Sequence, residues 1–341
     1  MKRFLLVTGG AGFIGSNFVR YWVNKYPKDE IIVFDKLTYA GNLNNLSELI
    51  KNKKVIFVKG DILDSELLEN TLRKYNISNL INFAAESHVD NSINKPSQFI
   101  QTNILGTFNL LNSFKSYWEV KNKPENFLFL QISTDEVFGS LGIYDLPFNE
   151  KTAYRPRSPY SASKAAGDHL SKAWFSTYGL PIIVSNCSNN YGPFHYPEKL
   201  IPLTITNILQ NKPIKVYGDG QNIRDWLFVD DHCSALDRLI TSGKIGSSYC
   251  IGGGNEITNI NLVNMICEIL DKKESDVKDF SSKDLITFVK DRPGHDLRYA
   301  IDYSYLKTEL KWEPKIFLKN GLEKTINWYL NNKNWWIDLI K

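Results

Sequence analysis

"VTGGAGFIG", residues 7–15, closes a short apolar run and opens an amphipathic stretch, and that junction decides the fold. Gly10, Gly12 and Gly15 satisfy G-x-G-x-x-G, while Gly9, Gly12 and Gly15 also satisfy G-x-x-G-x-x-G. Glycines between a strand and a helix permit a tight turn and close approach of backbone to a pyrophosphate, which the helix N-terminus favours through unpaired N–H groups and its dipole. A lone glycine motif is equally an ordinary strand-to-helix turn, so the surrounding pattern carries the weight.

Outward from that turn, short β-branched or aromatic runs alternate with helical periodicity. Strands are predicted at Phe4 to Thr8, Ile31 to Phe34, Val55 to Val58, Leu80 to Phe83, Phe127 to Ser133 and Ile182 to Asn186. Helices are predicted at Ser16 to Asn24, Asp64 to Tyr75, Gln98 to Tyr117 and Tyr160 to Tyr178. This alternation is an α/β pattern, a Rossmann-type doubly wound parallel sheet. After Asn189 the texture changes: Pro193, Pro197, Pro202 and Pro213 arrive close together, and short, unevenly spaced elements are expected. The chain therefore divides into residues 1–188, a dinucleotide-binding domain to which later segments return, and residues 189–341, a smaller, mainly substrate-binding α/β region.

At 341 residues with 43% apolar content, the chain fills one large domain or two unequal ones. Its 41 basic and 37 acidic residues are spread along the sequence, without the clustered basic stripe of a nucleic-acid binder. Cys187, Cys233, Cys250 and Cys267 lie far apart with no zinc-ligand spacing, and read as reduced and structural; no metal site is expected. Met1-Lys2-Arg3 before Phe4-Leu5-Leu6-Val7 imitates a signal peptide, but glycines cut the run short and no cleavage site follows. No stretch reaches the ~20 apolar residues of a membrane span. A cytoplasmic protein with no membrane or nucleic-acid partner is expected. His169, His195 and His232 have no ligand spacing and are read as structural.

Asp35 stands 20 residues beyond Gly15 at the end of the second strand, where a carboxylate accepts hydrogen bonds from adenosine ribose hydroxyls. That favours NAD over NADP, although Lys36 beside it works against the preference. Asp61, in "VKGDIL", is either an acceptor for the adenine amino group or a turn cap. "YSASK" puts Tyr160 and Lys164 four residues apart on one helix face, with Pro159 suiting the helix start. An ammonium and a cationic nicotinamide beside a tyrosine favour its phenolate form, so that it can take a proton from a sugar hydroxyl near neutral pH. A surface Tyr and Lys one turn apart is the bland alternative.

TGGAGFIG together with Y-x-x-x-K resembles the extended short-chain dehydrogenase/reductase superfamily, and the resemblance covers essentially the whole chain. "ISTDEVFG", residues 132–139, is similar to the signature of nucleoside-diphosphate-hexose 4,6-dehydratases, with Thr134-Asp135-Glu136 where most sugar epimerases carry small neutral residues. The resemblance implies the roles. Tyr160 takes the 4-hydroxyl proton while C4 is oxidised with NAD, Thr134 hydrogen-bonds the C4 oxygen, Glu136 removes the acidified C5 proton, and neutral Asp135 protonates the departing C6 oxygen before hydride returns to C6. Adjacent carboxylates in a dry pocket raise one another's pKa, which divides acid from base. A turn or helix cap is the alternative for the pair.

Further segments resemble the dTDP-glucose 4,6-dehydratase branch: "FAAESHVDNSI", "SNNYGPFHYPEKLIP", "NIRDW" and "DRPGHDLRYAID". By that resemblance NAD is also contacted by Phe13, Ile14, Lys36, Thr38, Ile62, Ala84 and Ala85, and by Ser87, Thr102 and Asn190. The substrate, a dTDP-hexose, is contacted by Ser87, His88, Asn189, Glu198, Lys199 and Leu200. Lys215, Tyr217, Arg224, Asn259, Arg292, His295 and Tyr299 complete that side. Guanidinium forks such as Arg224 and Arg292 match phosphate oxygens. His295 could instead cap a loop or pair with Asp296, Asn259 could make a local turn bond, and Lys199 could be a solvated lysine beside Glu198. Phe138 stands where tyrosine is common. The helices 98–117 and 160–178 correspond to the pair forming a four-helix homodimer interface in the superfamily, unless each packs inward. The expected activity is a redox-neutral lyase producing dTDP-4-keto-6-deoxyglucose for deoxysugar biosynthesis. A nucleotide-sugar epimerase or decarboxylase, which needs no adjacent Asp and Glu, and a non-catalytic dinucleotide sensor are the competing readings.

Overall fold

The computed structural model describes residues 2–273 and 281–340. Six strands follow the predicted runs to within a residue at each end: β1 Phe4–Thr8, β2 Glu30–Asp35, β3 Ile56–Lys59, β4 Asn79–Asn82, β5 Leu128–Thr134 and β6 Ile182–Cys187. Beyond them come β7 Asn189–Tyr191, β8 Ile214–Tyr217, β9 Ile223–Phe228, β10 Ser248–Ile251, β11 Glu256–Thr258 and β12 Ile286–Val289. The main sheet is seven-stranded and parallel, in the order β10-β6-β5-β4-β1-β2-β3. Chain order runs outward in both directions from the β1/β4 pair, so the carboxyl ends of these two strands border the crevice where α/β sheets hold ligands.

Both faces of this sheet are covered. Leu5, Val7, Ile31, Val33 and Ile81 pack with Phe18, Val19 and Trp22 of the helix Phe13–Lys25. Leu6, Ile32, Phe34, Leu80 and Phe129 pack with Leu68 and Leu72 of the helix Ser65–Lys74 and with Leu110 and Phe114 of the helix Thr107–Val120. Burial on both sides is why these strands read as unbroken apolar runs rather than as alternating ones.

Two expectations fail here for physical reasons. The stretch read as one helix from Gln98 to Tyr117 is instead a short α-turn, Pro96–Phe99, a π-turn, Ile100–Gly106, and the α-helix Thr107–Val120. Inside the π-turn the Asn103 side chain clasps the backbone of Glu86, accepting from its N–H at 2.9 Å and donating to its carbonyl at 3.0 Å, and donates to Ser163 Oγ at 2.8 Å. Hydrophobic periodicity cannot register a tertiary pull of that kind. The region after Asn189 is also more regular than expected, with the long helices Val229–Ser242 and Asn259–Lys273.

That second half serves two cores. Helix Val229–Ser242 and strand β10 return to the first sheet, so Cys233, Leu236, Leu239 and Ile251 share a cluster with Leu5 and Phe18. Asp237 on the same helix accepts from Tyr21 Oη at 2.9 Å and Tyr26 Oη at 2.8 Å and pairs with Lys25. The helices Leu200–Leu209, Asn259–Lys273 and Leu318–Asn331 build a separate core with β8 and β9 around Tyr191, Ile205, Trp226, Ile266 and Ile326. Beside it, β9 pairs parallel with β7 and antiparallel with β11, and β8 pairs parallel with β12.

Because Leu236 is fully buried against the first sheet, Leu236→Ala is expected to destabilise that sheet by about 2–5 kcal/mol. Urea unfolding followed separately by a tryptophan in each core should show both signals moving to lower denaturant together.

Candidate active site

A cleft of about 520 Å³ opens where the carboxyl ends of β1, β4 and β5 face the second half of the chain. Its floor is the glycine turn. Gly9 has φ +66°, and a Cβ there would stand 2.6 Å from the backbone nitrogen of Ala84; one at Gly15 would stand 2.4 Å from the Gly9 carbonyl oxygen. No side chain caps the helix that starts at Phe13, so its first N–H groups face the cleft as an anion site. Asp35 ends β2, accepting from Ala11 N at 2.9 Å and Leu37 N at 2.8 Å. Burial raises its pKa and these two donors oppose the rise. Lys36 turns away from Asp35 and pairs with Asp61 at 2.7 Å, while Asp61 also caps Leu63 N at 3.0 Å. A carboxylate next to the turn, with a cradle that only glycine fits, suits the adenosine and pyrophosphate of a dinucleotide.

The triplet sits where β5 stops. Thr134 caps the turn Asp135–Phe138: its hydroxyl accepts from Glu136 N and donates to Asp135 Oδ1, both at 3.2 Å. The cap reading of this segment is thus met by Thr134, which leaves the two carboxyl groups for other work. Asp135 is 1% exposed, and its Oδ2 is buried with no hydrogen-bond partner among the described residues. Burial first, then the charges of Glu136 and Asp225, push its pKa well up. Glu136 is also raised by burial, but Arg292, Arg224 and Lys199 pull it back. The pair is therefore graded, Asp135 the stronger candidate for a proton donor and Glu136 for a base.

Ser158 and Ser161 form a capping box, and Pro159 occupies the first turn, so the helix Pro159–Tyr178 begins immediately beside this turn. Both Tyr160 and Lys164 lie buried on its cleft side. The lysine's half of the phenolate expectation is qualified here. Lys164 Nζ donates to the Ile132 carbonyl at 2.7 Å, and Tyr160 is pushed well above the ordinary tyrosine value by burial and by Glu136, with the Thr134 hydroxyl opposing. Burial above all, in the protein by itself, disfavours the phenolate.

On the facing side, Arg224 is buried over the Tyr299 ring at 4.3 Å and donates to the carbonyls of Ile223 at 2.7 Å and Asp296 at 2.9 Å. Arg292 pairs with Asp90 at 3.4 Å, and Tyr217 donates to the same carboxylate at 3.2 Å. His295 pairs with Asp291 at 2.6 Å rather than with Asp296, whose carboxylate instead takes the Tyr299 hydroxyl and Arg157. Lys199 donates to the Ser87 carbonyl at 2.8 Å, and Glu198 accepts from Tyr39 at 3.1 Å, with His88 at 3.9 Å. Asn189 and Asn259 each keep a buried Oδ1 with no partner among the described residues.

All the site residues named from the sequence line this one cleft, from Gly9 and Thr38 at one end to Lys215 and Tyr299 at the other. Gly10 does not line it; its role is packing, since a Cβ there would press on Val33. Sequence reasoning missed Glu86, Asp90, Cys187, Ser188, Tyr196 and Trp226, which line it too. His195, read as structural, is both: it stacks on Phe13 at 4.1 Å, is held neutral by burial with a pKa of about 3, and still borders the cleft. Only its place beside the "NNYGPF" segment could have flagged it. His232 supports Asn190 at 2.8 Å.

The GDP-mannose 4,6 dehydratase family model matches residues 6–325. A dTDP-glucose 4,6-dehydratase of Neisseria meningitidis is 52% identical over 344 aligned residues, covering 99% of this chain and 96% of that protein. The dTDP-glucose 4,6-dehydratase of Bacillus anthracis, solved in complex with NAD, superposes with a TM-score of 0.88 at 45% identity, covering 99% of both chains. That of Streptomyces venezuelae, also solved with NAD bound, gives 0.90 at 41% identity over 98% of this chain and 99% of that one.

A raised carboxyl pKa carries a sign. The native chain keeps a proton on Asp135 that the unfolded chain releases near the ordinary value of 3.8, so this group's contribution is fully present at low pH and is lost as pH rises toward its folded pKa. Asp135→Asn removes that loss. Its urea midpoint relative to the unsubstituted chain is expected to improve as pH rises above about 4, and an infrared difference spectrum of the two should show a protonated carboxyl band persisting above that pH.

Proposed function

The chain belongs to the dTDP-glucose 4,6-dehydratase family, and we propose that this cleft eliminates water from dTDP-glucose through the triplet Thr134, Asp135 and Glu136 together with Tyr160 and Lys164. The observation that carries the reading is a buried carboxyl group, Asp135, adjacent to a half-buried one, Glu136, that lines the cleft beside a buried tyrosine, with cations facing Glu136. An epimerase has no use for the second carboxyl, and a cofactor sensor has no use for either.

NAD is the cofactor, and when bound it supplies reversible hydride acceptance. The glycine turn, the uncapped helix start and Asp35 would hold its pyrophosphate and adenosine; Lys36, Thr38, Asp61 and Ile62 lie at the same end. Tyr160 gives the 4-hydroxyl proton a destination as C4 is oxidised, and Thr134 steadies the C4 oxygen. Since burial and Glu136 raise the phenol's pKa, its activation depends on cationic charge brought in with the loaded site and on Lys164. The 4-ketone acidifies the C5 hydrogen, which Glu136 removes. Asp135, already carrying its proton, delivers it to the C6 oxygen so that water leaves rather than hydroxide, worth about 10²–10⁴-fold for such a transfer. Hydride added at C6 and a proton at C5 complete dTDP-4-keto-6-deoxyglucose, a precursor for deoxysugars such as rhamnose.

Arg224 and Arg292 face the diphosphate, Arg292 exchanging Asp90 for phosphate oxygens; Asn259, Lys215 and Tyr217 meet the nucleoside; Asn189, His88, Glu198 and Lys199 surround the sugar. In this reading residues 1–188, with helix Val229–Ser242 and β10, form the dinucleotide-binding part, and the rest of 189–341 the nucleotide-sugar part. Among the described residues no helix is long and apolar enough to cross a membrane. A cytoplasmic location is supported by four cysteines that all lie buried. A homodimer is supported by Ile100 and Leu105 of the π-turn and Phe108 of the helix that follows, which are 46, 50 and 43% exposed while Phe108 meets Trp174 of the helix Pro159–Tyr178 at 5.8 Å, so the two segments offer a shared apolar face.

Purified protein given dTDP-glucose in deuterated water is expected to yield, by NMR, the 4-keto-6-deoxy product with deuterium at C5. Glu136→Gln should slow its formation about 10²–10⁴-fold while leaving dTDP binding intact; a C4 epimer as the product, or full turnover by the variant, would overturn the reading. In sedimentation velocity, Phe108→Glu should convert a species of twice the chain mass to one of the chain mass.

A further inference from the structure

Asn45, in the short turn Leu43–Leu46, has no part in the chemistry derived above, yet it is buried. Its Nδ2 donates to the Ala11 carbonyl at 2.9 Å, inside the glycine turn that floors the cleft. Its Oδ1 accepts from Trp335 Nε1 at 2.8 Å, on the helix Lys333–Ile337. A carbonyl can only accept and an indole N–H can only donate, so these two partners admit one orientation of the amide. The Asn45 main-chain carbonyl is held as well, by Arg20 Nε at 3.0 Å and Nη2 at 2.6 Å. Ala11 donates its own N–H to Asp35 at 2.9 Å, and its carbonyl also takes the Asn42 N–H at 3.1 Å. Both polar groups of this residue in the turn are thus anchored.

Trp335 reaches the cofactor end by a second route. Phe194 holds φ +65°, a backbone conformation that a bulky residue keeps only where its surroundings impose it. Around its ring stand Trp328 at 4.7 Å, Trp335 at 6.1 Å and the Arg20 guanidinium at 4.7 Å. The residues on either side of Phe194 meet the helix that starts at Phe13. The Pro193 carbonyl accepts from Asn17 Nδ2 at 2.9 Å, and the His195 ring stacks on Phe13. Trp335 therefore bonds the amide that holds the glycine turn and packs on the strained residue beside the helix whose first N–H groups face the cleft.

We propose that Trp335 is a positioning residue for the cofactor: its indole N–H orients the Asn45 amide, which holds the glycine turn in the shape that receives the pyrophosphate of NAD. The helix Lys333–Ile337 thereby sets how long the cofactor stays bound. The inference rests on the placement of NAD over the glycine turn made above. Without the indole N–H, Asn45 Oδ1 loses its donor, the amide is free to turn from Ala11, and NAD leaves sooner. The coupling runs both ways: if the latch favours bound NAD, bound NAD must favour the latch.

The test follows NAD rather than turnover. Trp335→Phe keeps an aromatic ring against Phe194 and removes the N–H. Protein loaded with ¹⁴C-labelled NAD is chased with unlabelled NAD, and the rate of label loss is expected to rise about five- to tenfold in the variant. With NAD saturating, kcat and the KM for dTDP-glucose should stay unchanged. In Asn45→Ala, which lacks the amide, adding Trp335→Phe should raise the rate no further; a tryptophan that merely supports the fold would act in both backgrounds. In the unsubstituted chain, amide hydrogen exchange across residues 333–340 should slow when NAD is bound, a measurement that needs no variant to fold. Equal NAD release from the variant and the unsubstituted chain, an undiminished effect in the Asn45→Ala background, or exchange indifferent to NAD would overturn the proposal. A chain that meets every NAD expectation yet fails to turn over dTDP-glucose would overturn the functional reading and leave the latch standing.

Discussion

The cleft sets two neighbouring carboxyl groups side by side, Asp135 buried and Glu136 half-buried at its wall, without letting either become inert. A single buried acid simply holds its proton; two side by side also feel one another, and the one that ionises makes the other harder to ionise. Asp135, with an unpartnered oxygen and with burial, Glu136 and Asp225 outweighing the pull of Arg224, takes the protonated role, while the three cations that face Glu136 reduce the cost of its charge. Nothing in the turn itself sets this difference. It comes from the second half of the chain, which delivers Lys199, Arg224 and Arg292 to one side of the triplet.

Delivery on that side requires the second half to be held firmly against the first, and the fold does this by sharing rather than by abutment. Helix Val229–Ser242 and β10 belong to the first sheet's core, yet they are continuous in sequence with β9 and β11, which frame the facing wall. A ligand between the walls thus sits inside one cooperative structure. Longer side chains also bridge the two sides, where Tyr39 meets Glu198 and Arg292 meets Asp90.

How much of this was legible in the sequence follows from what kind of force sets each part. Strands buried on both faces announce themselves as apolar runs, and β1 to β6 were located to within a residue. The glycine turn and the Ser158-Pro159 helix start are local chemistry and were equally readable. The return of β10 to the first sheet was not, because Ser248–Ile251 is too short to show which sheet it joins. The triplet's chemistry was visible through family resemblance and residue type, but the surroundings of Tyr160 were not: Y-x-x-x-K spacing places the lysine one turn away without saying that its ammonium donates to the Ile132 carbonyl. Asp90, Glu86 and His195 were passed over for the same reason, since each is defined by a neighbour more than 100 positions off or by a backbone contact.

The π-turn at Ile100–Gly106 fixes one more property of the chain. An α-helix advances about 100° per residue, so a turn that accommodates one residue more than α geometry works as a phase shift between the segments on either side. Deleting any one residue between positions 100 and 106 would let the helix run on with regular spacing, yet it would rotate Pro96–Phe99 away from the Tyr160 ring that Phe99 now meets at 6.3 Å and withdraw the Asn103 clasp.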